Sequence, residues 1–132
     1  MPQKPAISPQ ELKSVTALDA EARYGYFVRR VADWEVAWGL WKNGWVLAAD
    51  ASGAEVFPLW PMREYAEQCA TGDWADSEAA EIPIEQLLEE LLPKLATKGI
   101  LPAVFFTPLG QGVTVPVQRL RADLDVELQQ YE

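Results

Sequence analysis

Apolar residues return at helical spacing after Asp19. Ala20, Tyr24, Phe27, Val28 and Val31 share one side, and Glu21, Arg23, Arg29, Arg30 and Asp33 take the other. With Asp19 as the cap, this pattern predicts a helix from Asp19 to Trp34. Gly25 inside it costs about 1 kcal/mol relative to alanine, which predicts a backbone or a large ring packed close by. Upstream, Ser8-Pro9-Gln10-Glu11 has the spacing of a capping box with proline at the first helical position, so a short helix is expected there.

The period then changes. Val36 to Lys42 and Trp45 to Ala49 are apolar runs joined by Asn43-Gly44, a dipeptide that favours a two-residue hairpin turn. Across such a turn Leu40 faces Leu47 and Trp38 faces Ala49 on one side, while Trp41 faces Val46 on the other. Both faces are apolar, which requires cover on each side or leaves an aromatic patch for a partner. Asp50 to Gly53 reads as a second turn and Ala54 to Trp60 as a third strand ended by Pro61, completing a three-stranded meander.

Met62 to Ala70 fits a short helix, and Thr71 to Ala80 reads as a loop containing Gly72, Asp73, Trp74 and Asp76. Pro83 opens a helix with an apolar stripe of Ile84, Leu87, Leu88, Leu91 and Leu95, which Pro93 should kink and Gly99 should end. Ala103 to Thr107 and Val113 to Val115 form a strand pair around a glycine-rich turn. Val117, Leu120, Leu124, Leu128 and Tyr131 then trace a terminal helix. The expected fold is α+β: an antiparallel sheet of about five strands, an N-terminal meander plus a C-terminal strand pair, flanked by three or four helices. One domain over residues 1–132 is expected, with residues 1–18 as a loosely packed arm or short helix.

Composition narrows the chemistry. At 49% hydrophobic and 23% charged, the 132 residues have the balance of a chain that folds by burying a core. Six tryptophans supply large buried areas that help so short a chain offset its conformational entropy. Cys69 is the single cysteine and histidine is absent, so an internal disulfide, a dithiol pair and a cysteine-based zinc cluster are ruled out. The usual base for a serine or cysteine nucleophile is missing as well. No run approaches the roughly 18 apolar residues of a membrane span, and Met1 to Gln10 is unlike a signal peptide, so a cytoplasmic location is expected. No cofactor is implied, since Gly110-Gln111-Gly112 lacks the spacing and the lysine of a phosphate-binding loop.

The formal charge of −9 is concentrated in one stretch. Residues 1–63 and 94–132 are each neutral, whereas residues 64–93 hold nine carboxylates and neither lysine nor arginine. Such a surface repels nucleic acid and anionic lipid, so no nucleic-acid or membrane partner is expected, and it attracts a basic protein. The carboxylates also have the simpler reading of a solvated outer face. Cys69, among Glu64, Glu67 and Asp73, reads as a packing residue whose neighbours disfavour a thiolate. Trp38, Trp41, Trp45 and Trp60 read first as core and Trp74 as evenly balanced between core and surface, while Trp74 and Trp41, with Asp73, Asp76, Glu78 and Glu81, are the candidate acidic and aromatic interface.

The order of several short signatures carries a resemblance: Arg23-Tyr24 with Tyr26-Phe27, Trp38-Gly39-Leu40, Gly44-Trp45, Pro58-Leu59-Trp60-Pro61, Gly72-Asp73-Trp74 and Val104-Phe105. Over about Asp19 to Leu128 the chain resembles an uncharacterised bacterial domain-of-unknown-function family, number twenty-seven-fifty. That resemblance implies a bacterial source and no known activity. The leading expectation is a non-catalytic protein-binding module of the immunity-protein, adaptor or regulator type. The alternatives are an enzyme acting on a small molecule or through a metal, with its pocket near the Trp74 loop, and a structural homodimer subunit.

Overall fold

A computed structural model of the chain describes residues 8–108, 110 and 112–130, and it shows an α+β fold. Helices α1 (Pro9–Thr16) and α2 (Ala20–Trp34) begin at their predicted caps. Ser8 Oγ accepts the Glu11 amide at 3.0 Å, and Asp19 Oδ1 accepts the Ala22 amide at 2.8 Å. Each cap satisfies a backbone donor and contributes about 1 kcal/mol. Tyr24, Phe27, Val28 and Val31 are buried as the pattern predicts, but so is Arg23, which was expected on the polar side. Carbonyl groups draw it inward: Nη1 donates to Leu18 O at 2.6 Å and Nε to Phe105 O at 3.3 Å. Gly25 meets neither a backbone nor a ring. A β-carbon there would approach only the Arg29 guanidinium, at 3.3 Å.

Six strands follow: β1 (Val36–Trp41), β2 (Ala48–Ala49), β3 (Glu55–Leu59), β4 (Glu78–Pro83), β5 (Leu101–Val104) and β6 (Val113–Thr114). They form two sheets among the described residues, an antiparallel β1–β4 pair and a mixed sheet in the order β2-β3-β5-β6. β3 and β5 run parallel, with Phe57 opposite Pro102 and Leu59 opposite Val104. The single antiparallel sheet of about five strands is thereby corrected.

The N-terminal meander fails at its first turn. Asn43 and Gly44 do turn the chain, with φ of 57° and 144°, but Trp41 bridges Trp45, enclosing three residues, instead of facing Val46 behind a two-residue turn. The Val46 amide then donates to Leu40 O at 2.9 Å, and at Trp38 the same edge of β1 exchanges two 2.8 Å bonds with Trp60. Trp60 therefore occupies the edge on which the hairpin would have continued. The opposite edge of β1 pairs with β4, a strand in a segment expected to be loop as far as Ala80. Glu78-Ala79-Ala80-Glu81 has poor strand propensity, so pairing and the complete burial of Ile82 decide its conformation.

β2 and β1 share one edge of β3 in succession. Ala48 pairs with Val56 and Trp38 with Trp60, and Pro58, which has no N–H to donate, falls in the gap between them.

The remaining helices are α3 (Arg63–Cys69), α4 over residues 84–98 and α5 (Val117–Gln129), which makes five among the described residues where three or four were expected. α4 contains one wide π turn, Leu87–Leu91, where the Leu92 amide bonds to Leu87 O. Pro93 follows at once. Its ring would collide with a carbonyl in a regular helix, and the wide turn absorbs this without breaking the helix. α5 starts at Val117 with Pro116 as its N-cap. Trp60, Tyr65, Phe27, Phe105, Leu120 and Leu124 are among the fully buried side chains at the centre.

Candidate functional site

Cross-strand partners point to the same face of a sheet, so the β1–β4 register places Trp41 beside Glu78. Trp41 is 45% exposed, the only tryptophan among the exposed large hydrophobic residues. Its ring meets Trp45 edge-to-face at 5.0 Å. Trp45 in turn covers Gly39, where a β-carbon would sit 3.0 Å from the indole; glycine is what lets the ring lie so close to the strand. Beside this aromatic pair Lys42 Nζ lies 3.4 Å from Asp76 Oδ2, with both side chains exposed, so the pair contributes little stability. Trp41 and Glu78 thus lie side by side, with Asp76 next to the neighbouring Lys42. Glu81 does not join them, because it lies opposite Trp38 on the other face, where the Arg63 guanidinium stacks over the Trp38 ring at 5.0 Å.

Trp74 lies in a single 3₁₀ turn, Gly72–Trp74, held by Trp74 N–H to Thr71 O at 3.0 Å and by Ser77 N–H to Trp74 O at 3.0 Å. It is half-buried, meeting Trp60 at 6.2 Å and Phe106 at 5.7 Å, both edge-to-face. Phe106 also fixes Trp60, whose Nε1–H donates to the Phe106 carbonyl at 2.9 Å. A groove of about 580 Å³ opens here, lined by Leu47, Ala48, Ala49, Glu55, Thr71, Asp73, Trp74 and Phe106. The sequence singled out Trp74 and Asp73 and missed Glu55, Phe106 and the β2 residues. They come from distant segments, and no local pattern marks their convergence.

A second groove of about 350 Å³ gathers Asp33 and Glu35 at the end of α2, Glu85 and Glu89 of α4, and Arg121 of α5. Arg121 Nη1 donates to Leu88 O at 2.7 Å.

The polar chemistry inside the fold is structural. Tyr65 OH donates to Tyr26 OH at 3.1 Å, Tyr26 OH to Glu11 Oε2 at 2.6 Å, and Arg30 Nη2 to the same Oε2 at 2.6 Å, tying α1, α2 and α3 together. Glu11 therefore leaves the capping-box role that its position suggested and bonds across helices. The Tyr26 hydroxyl, and after it the Arg30 guanidinium, hold the Glu11 carboxyl below its ordinary value of 4.5. A lowered folded value means stabilisation that is complete above the ordinary value and lost as pH falls through the folded one. The stability difference between the wild type and Glu11→Gln should thus be full at neutral pH and shrink as pH falls below about 4.3. Urea titrations across that range will check this, and a constant difference would refute it.

Cys69 is buried, its Sγ donating to Phe106 O at 3.4 Å, and burial pushes its thiol up to about 11, the wrong direction for a nucleophile. Among the described residues no three His, Cys, Asp or Glu side chains are grouped to hold a metal ion. None of the described helices is long and apolar enough to cross a membrane.

Fold and surface together define a small α+β protein with an exposed tryptophan and partly cation-free carboxylates on strands and turns. The order of tryptophan and glycine signatures finds its explanation in the family comparison: the chain belongs to the family described as Protein of unknown function (DUF2750), whose model matches residues 24–124. The matched span covers all six strands and leaves α1, with Glu11, before it. No curated protein and no solved structure matches the chain.

Proposed function

We propose that this protein is a protein-binding module whose carboxylate-rich surface receives a basic partner, as an immunity protein, an adaptor or a regulator would. The observation that carries the reading is the exposure of the cation-free stretch: eight of its nine carboxylates are exposed and Glu64 alone is partly covered. Cations from outside meet it at Asp76, which Lys42 approaches, beside Trp38, where Arg63 stacks, and at the backbone of α4, where Arg121 donates. Asp73, Asp76 and Glu78 lie close in sequence, and Glu78 is paired across the strands with the exposed Trp41, which supplies an amphipathic anchor of the kind that dominates interface energetics.

The test is a pull-down from the native host. A basic protein should be retained at about 50 mM salt and released by about 500 mM, where the Debye length has shrunk well below contact-to-contact spacing. The variant Asp76→Asn, Glu78→Gln, Trp41→Ser should fail to retain it. Retention that ignores both salt and these substitutions would sink the reading.

A further inference from the structure

We infer that the groove beside Trp74 seats an extended segment of that basic partner, one in which an arginine or lysine alternates with apolar side chains. This rests on the acidic-surface reading above and assigns it a second, more specific contact.

Backbone, floor and charge point to the same occupant. The bonds Asp50 N–H to Ala54 O at 2.9 Å and the pairing of Ala48 with Val56 direct alternate residues of β2 toward β3. By the same alternation Leu47 and Ala49 turn their N–H and C=O groups away from the sheet. Outside the sheet ladder neither amide donates to another backbone group among the described residues. This is a short open edge at the mouth of the groove, and an incoming strand is the ligand that satisfies such an edge. Two residues of β2 span about 7 Å, the length of two residues of an added strand.

The floor is apolar, and Trp74 is held from behind by its edge-to-face contacts with Trp60 and Phe106, so its remaining surface is presented without ordering cost. The rim carries Glu55 and Asp73, both exposed, and among the described residues no cation lines the groove. A guanidinium or ammonium group lying against Trp74 would meet both carboxylates and the indole face. Two carboxylates are too few for a calcium site, and their sign excludes a phosphate. A second copy is disfavoured, since joining two such edges brings Glu55 and Asp73 against their own equivalents in a chain of net charge −9.

The probe is an acetylated, amidated pentapeptide alternating leucine and arginine, titrated into the full chain while backbone amide resonances are followed. Saturable shifts at Leu47 and Ala49 are expected. The pair Glu55→Gln and Asp73→Asn should weaken binding about tenfold, and Trp74→Phe, which keeps the turn packed, by a few-fold. Shifts confined to Trp41 and β4, with the Glu55 and Asp73 variant unchanged, would overturn the groove while leaving the acidic-surface reading intact. A leucine–glutamate peptide binding equally well, or no binding of either peptide, would overturn the groove too. So would concentration-dependent shifts at Leu47 and Ala49 without peptide, which would assign the edge to a second copy. The host pull-down judges the parent reading separately.

Discussion

Replacing Trp60 with alanine should cost the fold about 4 kcal/mol, a large part of the roughly 5–15 kcal/mol that holds a domain of this size together. Trp60 is fully buried and has three separate roles. Its backbone joins the two sheets through the paired 2.8 Å bonds to Trp38, its indole N–H donates to Phe106 O, and its ring is the wall against which Trp74 packs. Alanine keeps the first and loses the other two along with the buried area. Trp60→Phe keeps most of the area and loses only the hydrogen bond, with Cys69 Sγ still donating to the orphaned carbonyl, so about 1–2 kcal/mol is expected. Urea denaturation followed by circular dichroism measures both. A loss below about 2 kcal/mol for Trp60→Ala would show that the site collapses around the cavity and that the indole packing matters less than its burial implies.

Gly112→Ala should cost about 3 kcal/mol for a different reason, overpacking against atoms that cannot move. A β-carbon at Gly112 would lie 2.5 Å from Val104 O, 2.7 Å from Val104 C and 3.1 Å from Phe105 C, all backbone of or next to β5. That backbone is fixed from two directions, by Phe105 N–H to Leu59 O at 2.9 Å and by Arg23 Nε at the Phe105 carbonyl. Phe105 itself stands in the left-handed region, φ 72°, at a cost of about 1–2 kcal/mol that its complete burial against Tyr65 offsets. Gly53→Ala is the control. Gly53 has φ 88° with open space around it, so only backbone strain, about 1 kcal/mol, should appear. Equal losses at the two positions would refute the steric account.

The helices were legible from their periods, and for α1 and α2 also from their caps. Asp19 begins α2, Gly99 ends α4 and the Leu120–Leu124 face of α5 is buried, all as the pattern predicts. The sheets were not legible in the same way, because the Asn43-Gly44 signal is local and correct while the partner strand is decided far away. β1 pairs with β4, whose alanines and glutamates carry no strand signature of their own. The parallel pairing of β3 and β5 was invisible for the same reason. Arg23 shows the limit of binary patterning, since a charged side chain scored as polar is buried by two carbonyls that no sequence window contains. At the candidate site, Glu78 could be named from its charge and Trp41 only from its residue type, its exposure being visible in the structure alone. Their adjacency, and the separation of Glu81 onto the opposite face, follow only from the register.

Because β3 and β5 lie side by side and point the same way, the chain between them must leave the sheet and come back, and that excursion contains the entire stretch devoid of lysine and arginine. Before the native contacts exist, mutual repulsion swells this loop, so the ring closure that brings the two strands together works against both entropy and charge. Salt that screens this repulsion should therefore speed folding, and stopped-flow refolding from low to high ionic strength will check this.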